Sequence, residues 1–217
     1  MQSIDHKEMK KILIDIADRI MLEKDALTKL DASCGDGDLG VVMYIAFKRA
    51  RDKIQIDESG DVGSLLATLG SEILSSAGGA SGPLFGTIFR EAGKIVKMKK
   101  RVTLEELTEM FEESLSNIKK LGGAKVGDKT LIDALEPAVK SLRKSLNNKQ
   151  SLENALSKAA EEAELGTKMT RNMVARHGKA RYLGKKSIGY LDPGAKIIEL
   201  IFKTMMSSYN SLSSCPV

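Results

Sequence analysis

Apolar residues return every three to four positions along almost the whole chain, the repeat of helices buried on one side. Between Asp5 and about Lys29, the residues Met9, Ile12, Ile16, Ile20 and Leu27 share a face. A second helix starts after Gly40, where Val41, Tyr44, Ile45, Phe47 and Ile54 oppose a polar side carrying Lys48, Arg49 and Arg51. Asp61 is placed to cap a third, through Leu65, Leu66, Leu69 and Ile73. A run of small residues from Ser75 ends in Pro83, and a fourth helix follows with Leu84, Phe85, Ile88 and Ile95. Thr103 and Glu106 have capping-box spacing and open a fifth helix to about Leu121. The sixth spans Thr130 to about Leu146, and Pro137 inside it predicts a kink or an interrupted turn. Ser151 opens a seventh, to about Arg176. Asp192 and Pro193 supply an N-cap followed by proline at the first helical position, and an eighth helix runs on to about Ser211. No segment reads as a convincing strand, an interdomain linker or a short repeat. The pattern predicts one all-α domain over residues 1–217, built from eight helices.

The small residues fall unevenly on that scheme. In an antiparallel ring of eight helices, alternate connections lie at the same end. The connections at 31–40, 75–83, 122–129 and 177–194 share one end and carry nearly all the loop glycines. Those around 55–60, 98–102 and 147–150 are ordinary charged turns. Glycine allows close approach of a ligand, and helix N-termini present N–H groups that favour anions. The first rich loop, Asp31-Ala-Ser-Cys-Gly-Asp36-Gly-Asp38-Leu-Gly, holds three carboxylates. Packed so closely they repel, and a divalent cation is the simplest remedy. Oxygen-only ligation suits Mg2+ or Ca2+ better than zinc. The plainer alternative is a solvated acidic turn with aspartate as helix cap. Taken with the one-sided glycines, the cluster predicts a phosphate-and-metal site at one end of the bundle.

Common nucleotide and metal motifs do not explain the loops. The segment from Gly122 to Thr130 resembles a P-loop, but Asp128 precedes the lysine and no strand leads into it. The 31–40 loop has Asp36 where an EF-hand needs glycine and Val42 where it needs glutamate. The two histidines, His6 and His177, read as a surface residue and a polar loop residue, and no Ser/His/Asp or Cys/His set is evident.

Composition narrows the class. Aromatics are 4% with no Trp, so the core must come from Leu, Ile, Ala, Val and ten Met, which favours packed helices over a β-sandwich. The net charge of +5 is diffuse, and the basic run Lys97–Arg101 reads as a solvated turn between helices. With so few rings for base stacking, nucleic-acid binding is disfavoured. Cys34 and Cys215 make no disulfide framework, and a reduced, cytoplasmic setting fits. The first residues lack an apolar signal core, and no run reaches the ~20 apolar residues of a membrane span.

Four motifs in order resemble a known family. They are the Asp31–Asp38 loop, Gly78-Gly-Ala-Ser-Gly-Pro-Leu-Phe-Gly86, Gly127-Asp-Lys-Thr with Asp133, and Tyr182-Leu-Gly through Ser187-Ile-Gly to Asp192-Pro-Gly-Ala195. They look like the nucleotide-binding domain of dihydroxyacetone kinases. The chain's length is similar to that of the L subunit of the phosphoenolpyruvate-dependent enzymes. The resemblance implies an antiparallel eight-helix barrel with the nucleotide at one end. It implies ADP retained as cofactor and two Mg2+ ions, with Asp31, Asp36 and Asp38 as metal ligands. It places nucleotide contacts at Leu39, Gly40, Val41 and Val42, at Ala80 and Ser81, at Gly122 and Leu131, at Lys179, and at Asp192, Pro193 and Gly194. The implied activity is a phosphoryl relay in dihydroxyacetone metabolism. A phosphohistidine on a donor M subunit charges ADP, and the γ-phosphoryl passes to dihydroxyacetone on a K subunit. The resemblance implies no general base from this chain and leaves a homodimer open.

Two positions depart from the family pattern. Where it commonly reads Asp-His-Gly-x-Asn, this chain has Asp38-Leu39-Gly40-Val41-Val42. Each lost hydrogen bond to a charged group costs ~1.5–3 kcal/mol, so two would weaken nucleotide binding about 10²–10⁴-fold. Where many relatives carry Arg, Lys179 keeps the charge without the bidentate fork. The alternative reading is therefore a non-catalytic relative that reports nucleotide state to a protein partner. A nucleotide-binding domain of a fatty-acid kinase assembly is a third.

Overall fold

The protein is described here by a computed structural model over residues 3–76, 78–79 and 81–213. In chain order its main elements are β1 (Ser3–Asp5), α1 (His6–Leu22), α2 (Lys24–Ala32), α3 (Leu39–Gln55), α4 (Val62–Ser76), α5 (Ser81–Ile95), β2 (Arg101–Thr103), α6 (Leu104–Gly122), α7 (Ile132–Asn147), α8 (Leu152–Met169) and α9 (Pro193–Ser213). From α3 to α9 each helix packs on the next, α1 packs on α3, and α9 returns to α1, so eight helices close a ring. Helix α2 stands outside that succession, against α3 and α9. Cross-helix pairs give the direction. Arg143 meets Glu112 while Lys119 meets Glu136, and Arg49 meets Ser76 while Lys53 meets Glu72. Numbers rise on one helix as they fall on its neighbour, which is the antiparallel arrangement expected.

Local signals set the helix ends. Capping boxes Asp5/Glu8 and Thr103/Glu106 start α1 and α6, and the Ser151 hydroxyl accepts from Asn154 N–H to start α8. The Asp61 carboxylate accepts from Gly63 N–H at 2.9 Å at the head of α4. Inside the ring, Phe47 meets Phe89 edge-on and Phe111 lies against Phe202. Apart from Phe85 and Tyr209, the remaining core is Leu, Ile, Val, Ala and Met, as the composition requires.

Two contacts between helices of the ring are close enough to exclude a side chain. Gly63 and Gly70 on α4, and Gly86 and Gly93 on α5, are seven residues apart, two turns, so each pair shares a face. A Cβ on Gly70 would lie 2.5 Å from the Arg90 nitrogen, and one on Gly63 would lie 2.7 Å from the Gly93 oxygen. The sequence reading passed over this spacing. The second contact joins α7 to α8. Pro137 frees the carbonyl of Asp133, four residues back, from its helical donor. That oxygen would lie 2.1 Å from a Cβ on Gly166. Helix α7 runs unbroken through Pro137, because the proline lies near the helix start and its stranded carbonyl is turned into this interface.

Several expectations need correction. The first helix is two, divided at Glu23. Leu22 is exposed, and α2 seats Leu27 inward instead. Two short strands exist, with Ile4 opposite Val102, both buried. They tie the start of the chain to the α5–α6 connection. On α3 the buried face is Leu39, Met43, Ala46, Phe47, Ala50 and Ile54, while Val41 and Ile45 are exposed. The fourth helix begins at Ser81, ahead of Pro83. The seventh ends at Met169, followed by a 3-10 turn over Thr170–Asn172, because the Thr170 carbonyl is taken by Lys129 and by Met173 N–H. Among the described residues, no helix is long and apolar enough to cross a membrane.

The glycine contacts yield a stability prediction. Alanine at position 70 should favour an isolated helix by about 1 kcal/mol. Here overpacking between α4 and α5 should outweigh that gain, and Gly70→Ala should lower chemical-denaturation stability by roughly 1–3 kcal/mol. Equal or higher stability would contradict backbone contact between the two helices.

Candidate functional site

The four glycine-rich connections meet around one cavity of about 470 Å³. Their convergence follows from the antiparallel ring, which brings alternate connections together. One side of the cavity is acidic and the other is apolar.

Helix α2 carries Asp31 into the acidic side, and Asp38 stands at the head of α3. Asp31 Oδ2 accepts from Leu39 N–H at 3.2 Å, which pins the loop between them. Any side chain at Gly35 would strike the Asp31 carboxylate, 2.4 Å from its Cβ position, and Gly37 adopts φ +75°. The first glycine leaves the Asp31 carboxylate undisturbed, and the second supplies the left-handed turn. The result is that Asp31, Asp36 and Asp38 each bring a carboxylate oxygen within 4.8 Å of the others. Asp38 makes no side-chain cap to its own helix, so its carboxylate is left for another partner. The Lys179 ammonium supplies positive charge here, paired with Asp36 and 3.9 Å from Asp38 Oδ2. A hard-oxygen trio already drawing in a cation fits a divalent metal.

The apolar side is formed by Leu39, Leu84, Phe85, Ile118, Leu131 and Ile132. Of the expected nucleotide contacts, Leu39, Ser81, Gly122, Leu131, Lys179, Asp192, Pro193 and Gly194 line the cavity. Gly40, Val41 and Val42 are placed elsewhere. A Cβ on Gly40 would lie 2.1 Å from Lys24 O, so that glycine serves α2–α3 packing. Val41 is exposed, and half-buried Val42 packs toward the core with its N–H on Asp38 O. Ala80 lies outside the described residues.

Sequence reasoning missed the cavity floor. Lys129 is buried, has φ +60°, and donates from Nζ to Thr170 O at 2.6 Å and Tyr190 O at 2.5 Å. It thereby clasps both ends of the arm 171–189, where Gly189 N–H also donates to Arg171 O. Burial pulls its ammonium below the usual lysine range, against the pull of nearby Asp192. Asp133 accepts from Gly127 and Thr130 N–H and shapes the loop that presents Lys129, while burial raises its carboxyl. The signal was the Asp128-Lys129-Thr130 run, part of a matched motif but given no role. His177 Nε2 lies 3.3 Å from Asp128. Cys34 lines the cavity, its thiol pushed up to about 11 by burial and the neighbouring Asp192 and Asp31, so it is a poor nucleophile at neutral pH.

Asp192 caps α9 by accepting from Ala195 N–H at 2.7 Å. Burial, aided by Asp133, pushes its carboxyl up to about 7, with the Ala195 N–H and Lys129 opposing. In the unfolded chain an aspartate ionises near about 4. The stability it confers is therefore whole below about pH 4 and lost as pH rises through its folded value. The difference in urea midpoint between wild type and Asp192→Asn should be flat below about pH 4 and move in favour of the variant toward pH 7. A pH-independent difference would exclude a raised Asp192.

Comparison with known proteins agrees with this arrangement. The DAK2 domain family matches residues 33–207. The ADP-binding subunit DhaL of the PEP-dependent dihydroxyacetone kinase of Escherichia coli K12 is 37% identical over 203 residues, covering 94% of this chain and 97% of that one. DhaL of the PEP-dependent dihydroxyacetone kinase 1 of Listeria innocua is 35% identical, covering 90% and 93%. The crystal structure of the C. freundii dihydroxyacetone kinase in complex with AMP-PNP and Mg2+ superposes with a TM-score of 0.71 at 28% identity, over 96% of this chain and 35% of that longer one. On sequence and fold together, the chain belongs to the DAK2 domain family, with DhaL subunits as relatives over nearly its whole length.

Proposed function

We propose that this chain is the nucleotide-holding subunit of a phosphoenolpyruvate-dependent dihydroxyacetone kinase. It keeps ADP as a cofactor, accepts a phosphoryl group from a phosphohistidine on an M subunit, and delivers it to dihydroxyacetone on a K subunit. The observation that carries this reading is the pairing of a three-carboxylate cluster with an apolar wall across one cavity. A nucleoside diphosphate has the matching halves, an anionic tail that needs cations and a flat base that needs apolar cover. Supporting it, the E. coli relative is described as ADP-binding, and the C. freundii enzyme was crystallised with AMP-PNP and Mg2+.

In this reading Asp31, Asp36 and Asp38 would hold two Mg2+ ions, which would supply positive charge to offset that on the phosphoryl oxygens. The chain's own residues do the rest. Leu84, Phe85, Leu131 and Ile132 exclude water from the base. Lys179 supplies a mobile positive charge. His177 is engaged with Asp128, and in this reading the base for the acceptor hydroxyl comes from the K subunit.

The apolar departures count unequally. Leu39 lines the cavity, whereas Val42 packs toward the core. One missing donor, rather than two, distinguishes the anionic side. That favours a working site of reduced affinity over the non-catalytic reading.

Two experiments follow. Leu39→His should tighten Mg2+-dependent ADP binding about tenfold by calorimetry, the yield of one ~1.5 kcal/mol hydrogen bond. Val42→Asn should bring no gain, and a larger gain from Val42→Asn than from Leu39→His would reverse this assignment. In the relay assay, the chain alone should leave dihydroxyacetone unphosphorylated, and adding K and phosphorylated M subunits should start turnover. Asp36→Ala should abolish that turnover and the Mg2+ dependence of ADP binding while circular dichroism stays unchanged. Turnover retained in Asp36→Ala would refute the function proposed.

A further inference from the structure

Lys179 is expected at the nucleotide, yet its ammonium is seated between carboxylates. It pairs with Asp36 and stands 3.9 Å from Asp38 Oδ2, two of the three residues assigned to metal. Other cations nearby are committed elsewhere. Arg181 stacks over the Tyr182 ring at 4.8 Å and donates to its hydroxyl at 2.7 Å. Arg176 and His177 face Asp128. Lys179 is thus the side chain that balances the acidic cluster.

Its setting allows movement. The side chain is 61% exposed, on a flexible four-carbon stem with a compact charge. The arm beneath it is held at the neck by Lys129 and by the Gly189–Arg171 hydrogen bond, so its backbone is anchored while its tip is free of the core. The ammonium and a metal ion cannot occupy the same point between Asp36 and Asp38, because the two charges repel at that distance.

We infer that Lys179 is a positioning residue with two stations. Without metal it occupies the cation position between Asp36 and Asp38. A divalent ion entering there displaces it toward the cavity mouth, where the phosphate tail of a nucleoside diphosphate gives it a new anionic partner. Metal alone must therefore compete with a tethered ammonium, whereas metal arriving with nucleotide meets a displaced ammonium that is again paired. The site loads metal and nucleotide as a unit, and by linkage each strengthens the other's binding. This inference rests on the metal–nucleotide reading of the cavity, and goes beyond it in assigning Lys179 opposite effects on its two ligands.

The test uses Mn2+ as probe, titrated by electron paramagnetic resonance with the full-length chain, with and without saturating ADP. Lys179→Met should bind Mn2+ alone about tenfold more tightly than wild type, because its competitor is gone. ADP in the presence of Mn2+ should bind about tenfold more weakly, and, with metal-free ADP binding unchanged, the factor by which ADP tightens Mn2+ binding should shrink about tenfold. Lys179→Arg should retain the wild-type sign of coupling. A lysine that only holds the arm in shape would weaken both ligands on removal, so Lys179→Met binding Mn2+ alone no more tightly than wild type overturns the inference. If wild type fails to bind Mn2+ even with ADP, the reading of the cavity falls first and the inference falls with it.

Discussion

Direction reversal at every connection of a closed helical ring is the constraint on which this structure depends. Consecutive ring helices run antiparallel, so every second connection must emerge at the same end. Eight helices give four such connections, and these four meet around the cavity. The ring closes tightly because α4 and α5 touch backbone to backbone at paired glycines, and α7 and α8 do so where Pro137 has freed a carbonyl. The second runs through the main chain of Asp133, whose side chain shapes the cavity floor, and both hold the helices whose ends surround the cavity.

Charge at the cavity is arranged in two layers. At the mouth, three carboxylates are set by α2, a glycine-bearing turn and the head of α3, and Lys179 balances them from an exposed arm. On the floor, buried Lys129 and Asp133 lie beside half-buried Asp192, whose carboxyl is raised, and Lys129 is bonded to two carbonyls. The floor is shaped for rigidity, since its polar groups have internal partners. The mouth has exposed groups with long stems and is shaped for exchange. A subunit that keeps a nucleotide while passing its phosphoryl group between partners needs both.

Much of this was legible in the chain. Helical period and capping residues located the ring helices but not the break at Glu23, because one-sided burial imposes 3.6-residue spacing and unsatisfied N–H groups favour Asp, Ser or Thr at helix starts. The clustering of Asp31, Asp36 and Asp38 was readable because they are close in sequence, and close sequence in a glycine turn compels close space. Tertiary structure alone decided which way each side chain faced. Val42 turned to the core and Gly40 toward α2, and no local pattern separates a residue that lines a cavity from its neighbour on the same helical turn. It also decided the partners of Lys129, which are 41 and 61 residues away, and the pairing of Lys179 with Asp36 across 143. Such contacts depend on ring closure, and ring closure is the sum of packing between helices that no single segment encodes.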